Sequence, residues 1–468
     1  MRASSLPTRL FLFSTLLVAA ECGGGSTANN TSTLQGHVSD ADGTQAQSLK
    51  ILSGTFGGSG SVSAAVKVRV STLGADGSLS VVAEASVQAG GSYSIAVPAG
   101  IKRMVAECVD ASGNVVASAI VEASGAVGET VTVTPMDTES SVEALVMAKM
   151  AANGVALADI NAIDLRARIS RNVALAVKAA TDADVKIKAL AEAIAAAQIA
   201  KIKGYASVGV TTTQSALFDA ELAAAKKLDA ALDAAAGVSA SADQAYASFY
   251  GDLTASLMAL DSNARKHARV ESIASVAFRA VIKARLSVSG DAVADASLRA
   301  AASAEARLSA AVVDSILAAG GAAADVSAAA KTAEASLFSQ LSASASATAS
   351  TAAFASWNVA LNGGGTVTGS VLGTYLGVNT TTAVAVQGSV TAITNAAATL
   401  DTALKTAAGA LGAAGAIDFN VVAQSVVTAY TAFQTTVDAQ AAALVGFGTK
   451  AQVALDVMAT ASGSFRLQ

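Results

Sequence analysis

Between residues 34 and 134 apolar and polar side chains alternate with a period of two. Val66-Lys67-Val68-Arg69-Val70 sets three valines on one face and Lys67 and Arg69 on the other, the pattern of a strand with one dry face. Comparable runs follow at Leu79–Ala83, Tyr93–Val97, Met104–Val109, Val115-Val116 and Ile120-Val121. They are separated by Ala75-Asp76-Gly77, Gly90-Gly91, Pro98-Ala99-Gly100 and Asp110-Ala111-Ser112-Gly113, whose Gly and Asp residues suit tight turns. About seven short strands at this spacing predict a small β-sandwich.

Past Pro135, the last of 3 prolines, the period changes to three and four. Ser140-Ser141-Val142-Glu143 reads as a capping box that opens a first helix, and Asn153-Gly154 as its end. Thr181-Asp182-Ala183-Asp184 reads as a second start, with Ile187, Leu190 and Ile194 on one face. Ser241-Ala242-Asp243-Gln244 opens a further helix whose apolar face runs through Leu253, Leu257 and Leu260 to Val270, Ile273, Ala277 and Val281. Gly204, Gly237, Gly290 and Gly320-Gly321 mark stops. Rods of up to about 45 residues, near 70 Å at 1.5 Å per residue, would pair antiparallel through short loops. The expected fold class is α+β multidomain: an N-terminal β-sandwich over 34–134, then a long Ala-rich antiparallel α-helical bundle over 136–468.

The N-terminus carries Arg2 and Arg9, then Leu10-Phe11-Leu12-Phe13 and Leu16-Leu17-Val18-Ala19-Ala20. A basic segment before a short apolar run reads as a secretory signal peptide, residues 1–21. The run is shorter than the ~20 residues that span a bilayer. With Glu21-Cys22-Gly23-Gly24-Gly25-Ser26 it resembles the bacterial lipoprotein signal. That resemblance implies that Cys22 is lipidated as the first mature residue, with Ala19 to Glu21 in the lipobox; Glu21 stands where the family carries a small residue. Residues 22–33, rich in Gly, Ser, Thr and Asn, read as a flexible tether. A second resemblance rests on Gly36-His37-Val38-Ser39-Asp40-Ala41-Asp42-Gly43, Gly91-Ser92-Tyr93-Ser94-Ile95 and Val97-Pro98-Ala99-Gly100. These are similar to the carboxypeptidase regulatory-like, transthyretin-like module. It implies a non-catalytic structural or binding domain of secreted and surface proteins.

Composition narrows the function classes. Hydrophobic residues are 53% of the chain, aromatic 4% and charged 14%. Roughly a quarter is alanine, well above ordinary globular usage. A net charge of -5 gives no basic field for nucleic acid. The cluster Arg265, Lys266, His267 and Arg269, flanked by Asp261 and Glu271, reads as a solvated helix face. Asp40 and Asp42 lack the further oxygen ligands of a calcium loop and read as a turn. Gly57-Gly58-Ser59-Gly60-Ser61 lacks the last glycine of a nucleophile elbow. Cys108 reads as a buried thiol, Asp182 and Asp184 as caps, and Trp357 as core. No catalytic, metal or cofactor constellation emerges, and the chain is read as not an enzyme. The leading expectation is an exported lipoprotein of the cell envelope, at the outer membrane or cell surface. It would be held to the membrane by its lipid anchor and act as a structural scaffold or a surface for a protein partner or for self-association. The alternatives are a membrane-active or pore-forming helical protein and an envelope hydrolase.

No charged residue occurs between Glu334 and Asp401. Two readings of residues 335–400 are a Ser/Thr-decorated hairpin packed on the bundle, and a glycine-punctuated tip near 361–380 that contacts a membrane or a second copy through Leu372 and Leu376.

Overall fold

Val68 and Val70 of the first alternating run are buried between two sheets, while Val66 is exposed. A computed structural model describes residues 30–38, 49–51, 54–56, 65–210, 214–235, 239–286, 290–344, 347–364, 366–377, 380–412 and 417–466. The signal peptide, Cys22, Asp40, Asp42, Gly237 and the segment Gly57–Ser61 lie outside the described residues. The strands are β1 (Thr31–His37), β2 (Leu49–Ile51), β3 (Gly54–Phe56), β4 (Ala65–Leu73), β5 (Leu79–Ser86), β6 (Ser92–Pro98), β7 (Arg103–Asp110), β8 (Val115–Glu122) and β9 (Thr130–Thr132). One sheet has the order β6-β1-β9 and the other β2-β3-β8-β7-β4-β5. Because β1 begins at Thr31, the tether reading fails for residues 31–33, whose backbone pairs with Ala96–Pro98.

Between the sheets Leu34, Val68, Val70, Ile95, Met104 and Cys108 form one apolar core. Strand β1 sets Gly36 opposite Tyr93 of β6, and a Cβ on Gly36 would lie 2.6 Å from the Tyr93 hydroxyl. Only glycine lets the tyrosine lie across this strand. Part of the outer face of the larger sheet is dry as well. Leu73, Val105 and Ile120 pack with Leu145, Val146 and Met150 of α1 (Thr138–Ala152), so strand β8 is buried along its whole length. The half-wet sandwich read from the alternation is thus a three-layer arrangement: small sheet, large sheet, helices.

Thirteen further helices follow among the described residues: α2 (Ala162–Arg168), α3 (Arg171–Ala179), α4 (Ala183–Ser207), α5 (Gln214–Ala235), α6 (Ser239–Leu260), α7 (Ala264–Arg285), α8 (Ala292–Ala319), α9 (Ala324–Ala343), α10 (Ala347–Asn362), α11 (Val371–Leu376), α12 (Thr380–Gly412), α13 (Phe419–Leu444) and α14 (Thr449–Gly463). Helix α1 ends at Asn153, with Gly154 at φ +84°, as its sequence indicated. Its start differs. Asp137 is the cap, accepting from the Ser140 backbone while the Ser140 hydroxyl accepts from the Asp137 amide, and Glu143 is left free for another role. Gly204 is not a stop: it lies inside α4, where a Cβ would meet Val270 at 3.4 Å. The missing side chain lets α4 and α7 cross closely. The run from Leu253 to Val281 is two helices, because Asn263 caps α7 by accepting from the Lys266 backbone. The longest helix among the described residues, α12, has 33 residues, shorter than the rods read from the glycine spacing.

Within the charge-free stretch, Leu372 and Leu376 are 0% and 5% exposed and belong to the bundle core. The contact assigned to them at a tip is therefore replaced by packing. Trp357 is core, edge-on to Phe354. Phe354 in turn stacks on Phe465 at 4.5 Å between ring centroids. Phe465 adopts φ 50°, its backbone amide donates to Glu305, and Arg279 donates to both Glu305 and the Arg466 carbonyl, each at 2.6 Å.

Candidate functional site

In a chain so poor in charge, the charges of α2 stand out. Its sequence Ala162-Ile163-Asp164-Leu165-Arg166-Ala167-Arg168 carries three charged residues, and Asp164, Arg166 and Arg168 are all buried. Asn161 caps the helix, its side-chain oxygen accepting from the Ile163 amide. So short a helix gains little from its own hydrogen bonds. It is held by what its side chains meet on either side.

Toward the sheet, Arg166 lies 3.6 Å from Glu143 of α1 and 3.2 Å from Asp229 of α5. The Thr134 hydroxyl donates to Asp229. Burial opposes the guanidinium charge, but Asp229, Glu143 and Glu122 outweigh it and raise the Arg166 pKa. Burial pushes the Glu143 carboxyl up to about 8, more than Arg166 offsets. Beside this group Arg103 of β7 pairs with Glu122 of β8 at 2.7 Å and donates to the carbonyls of Leu157 and Ile160. The sheet thereby fixes the loop that leads into α2.

Toward the bundle, Lys201 of α4 meets three carboxylates: Glu221 of α5 at 2.6 Å, Glu271 of α7 at 2.7 Å and Asp164 at 3.7 Å. Burial disfavours the ammonium, yet these carboxylates hold its pKa well above the usual lysine value. A lysine so held stays protonated and is no nucleophile, since a Schiff-base or general-base lysine must be neutral. Burial lifts Glu221 to about 6 against the pull of Lys201. The Asn161 amide donates to Glu221. Nearby, Tyr205 and the His267 ring lie within 3.4 Å, and the other ring nitrogen of His267 is 2.8 Å from the Asp261 carbonyl. Burial lowers the His267 pKa, which favours the neutral ring.

Of these groups Asn161, Asp164, Lys201, Tyr205 and Glu221 line a cleft of about 220 Å3 between the loop before α2, α4 and α5. Asn161, Asp164, Gln198, Lys201, Tyr205 and Glu221 supply its polar part. Ile160, Ile202, Val210, Leu217 and Phe218 supply its apolar walls. A mostly apolar concavity with a few convergent polar groups is the usual form of a small-molecule site.

The residues singled out from sequence fall elsewhere. Cys108 is buried beside the Met136 sulfur at 3.5 Å, and burial raises its pKa, so it is an inert thiol. The basic cluster is not a solvated face: His267 and Arg269 are buried, and Arg265 reaches Asp438 and Asp456. Arg269 donates to the Thr431 hydroxyl. Asp182 precedes α4 without a side-chain capping bond and lies 3.8 Å from Lys186. No group of three metal-ligating side chains occurs among the described residues. The charges of α2 and Lys201 were missed because their partners are distant in sequence; their signal was the placing of charge between apolar neighbours. Compared with family models, curated proteins and solved structures, the chain matches none.

Proposed function

We propose that this is an exported, lipid-anchored envelope protein, non-catalytic, that acts as a structural scaffold or as a binding surface for a protein partner or for a second copy of itself. The observation that carries the reading is the order Arg2, Arg9, apolar run, Cys22 and Gly23-Gly24-Gly25. The outer-membrane or cell-surface location, the lipid on Cys22 and the regulatory-like character of the sandwich belong to the same proposal. Support for the module comes from the pairing of its two signature segments, Gly36 against Tyr93. Support for a rigid scaffold comes from the core that the large sheet shares with α1. The alternative is a membrane-active or pore-forming protein; Leu372 and Leu376 are interior, and no described helix is long and apolar enough to cross a membrane.

Mass spectrometry of the mature N-terminus tests the anchor. The expected result is a chain starting at a diacylated Cys22, since one acyl chain alone binds membranes only marginally. An unmodified Cys22, or a start elsewhere, overturns the reading. Cross-linking in intact envelopes then identifies the partner.

A further inference from the structure

Helix α9 is lightly held. Of its 20 residues, Val326, Ala330, Ala333, Glu334, Leu337 and Leu341 are buried. All but one of these are apolar, and the exception, Glu334, is 8% exposed. Its carboxyl group meets that of Asp314 on α8, and a side-chain hydrogen bond joins the two. A carboxylate only accepts, so one member of the pair must hold a proton. Positive charge around them is scarce. Lys331 lies 3.8 Å from Asp314 but is itself 68% exposed. The cations of α8 that reach α9 are engaged elsewhere: Arg307 lies over the Phe338 ring at 5.4 Å, and Arg299 donates to the Ser344 carbonyl. Asp325 stands in the first turn of α9, nine residues before Glu334. Helices α10 and α11 fall in the charge-free stretch and bring no charged residue; the Tyr375 hydroxyl of α11 donates to the Gly320 carbonyl. Burial, and then the charge of Asp314, push Glu334 up to about 8. The chain enters α9 through Gly320-Gly321, with Gly321 at φ +67°, a point where the backbone turns freely.

We propose that Asp314 and Glu334 form a proton-operated latch: sharing one proton they hold α9 on α8, and losing it sets two like charges together and lets α9 swing out about Gly320-Gly321. Opening bares Val326, Leu337 and Leu341. In the open helix Glu334 ionises at its ordinary value of 4.5, and in the closed helix only near 8. The closed form therefore has its full advantage below pH 4.5, loses it progressively as pH rises to 8, and changes little beyond. The latch is independent of the lipid anchor, and either can fail without the other.

Hydrogen–deuterium exchange of the full chain, read by mass spectrometry and divided by the intrinsic rate at each pH, tests it. Peptides of α9 should lose protection about fiftyfold between pH 6 and 8, as one carboxyl moving from 4.5 to about 8 requires. They should be less protected than those of α7 at every pH, because α9 opens without the rest of the bundle. Glu334→Gln keeps a neutral hydrogen-bonding side chain and should hold α9 protection within about threefold over the same range. Asp314→Asn removes the repelling charge and should shrink the loss as well; it carries the comparison if Glu334→Gln does not fold. Protection of α9 that is independent of pH in the parent, or equal to that of α7 throughout, overturns the proposal. An undiminished loss in either folded variant also overturns it.

Discussion

A single carboxyl sets part of the pH response. Burial holds Glu143 at about 8, above its ordinary value of 4.5. Across that interval the folded chain keeps a proton that the unfolded chain releases, so stability is full below pH 4.5 and falls as pH rises toward 8. The slope reaches at most ~1.4 kcal/mol per pH unit from this group. Glu221, raised to about 6, acts in the same direction over a narrower window. Glu143→Gln should therefore flatten the loss of urea midpoint between pH 5 and 8.5. An unchanged slope would show that Glu143 is ionised when folded. None of this was legible in the sequence. Glu143 fits a capping box, but Asp137 and Ser140 form the box themselves, and Arg166 lies too far along the chain for its partner to be read.

Among the elements, periodicity located β4 to β8 and the helices α1, α4, α6 and α7, because burial on one face writes period two or 3.6 directly into the residue order. It failed where a boundary is polar and local. Asn263 divides an apolar face that continues on both sides, so α6 and α7 read as one rod. It also failed at Gly204, where the missing side chain serves a crossing and not a stop. That reading has a measurable consequence. The space at Gly204 accepts a methyl group, with its Cβ 3.4 Å from Val270, but nothing larger. Gly204→Ala should be neutral or slightly stabilising, since alanine is favoured over glycine within a helix by ~1 kcal/mol. Gly204→Leu should cost about 1–3 kcal/mol by overpacking. Chemical denaturation of both variants checks the pair, and equal midpoints would mean that the helices do not meet there.

At the scale of the whole molecule, sequence suggested two units that fold separately, while the structure gives the large sheet a helix-covered outer face. Leu73, Val105 and Ile120 would be bared if residues 34–134 were cut away, leaving an exposed apolar surface prone to association. The two ends of the molecule carry their own reporters. Trp357 is the single tryptophan and lies in the bundle, and Cys108 lies between the sheets. In a Cys22→Ser chain, the loss of Trp357 fluorescence and the appearance of a labelled Cys108 thiol should follow one urea curve. Two separated curves would restore independent units. The shared core was not legible because alternation shows that a strand has a dry face but not that its opposite face is later covered. Serine and alanine on β8 fit either environment.

The clasp formed by Arg279, Glu305, Phe465 and the Arg466 carbonyl has a consequence in time. Phe465 follows Glu305 by 160 positions. A ribosome adding ~5–20 residues per second needs on the order of ten seconds to cover that distance. Throughout that interval Arg279 and Glu305 have each other but neither backbone partner, and the ring of Phe354 has no stacking surface. The nascent chain thus stays unsealed until its closing segment emerges. A protein built this way has a long window for chaperone capture and for threading, and little tendency to seal its bundle while still being made.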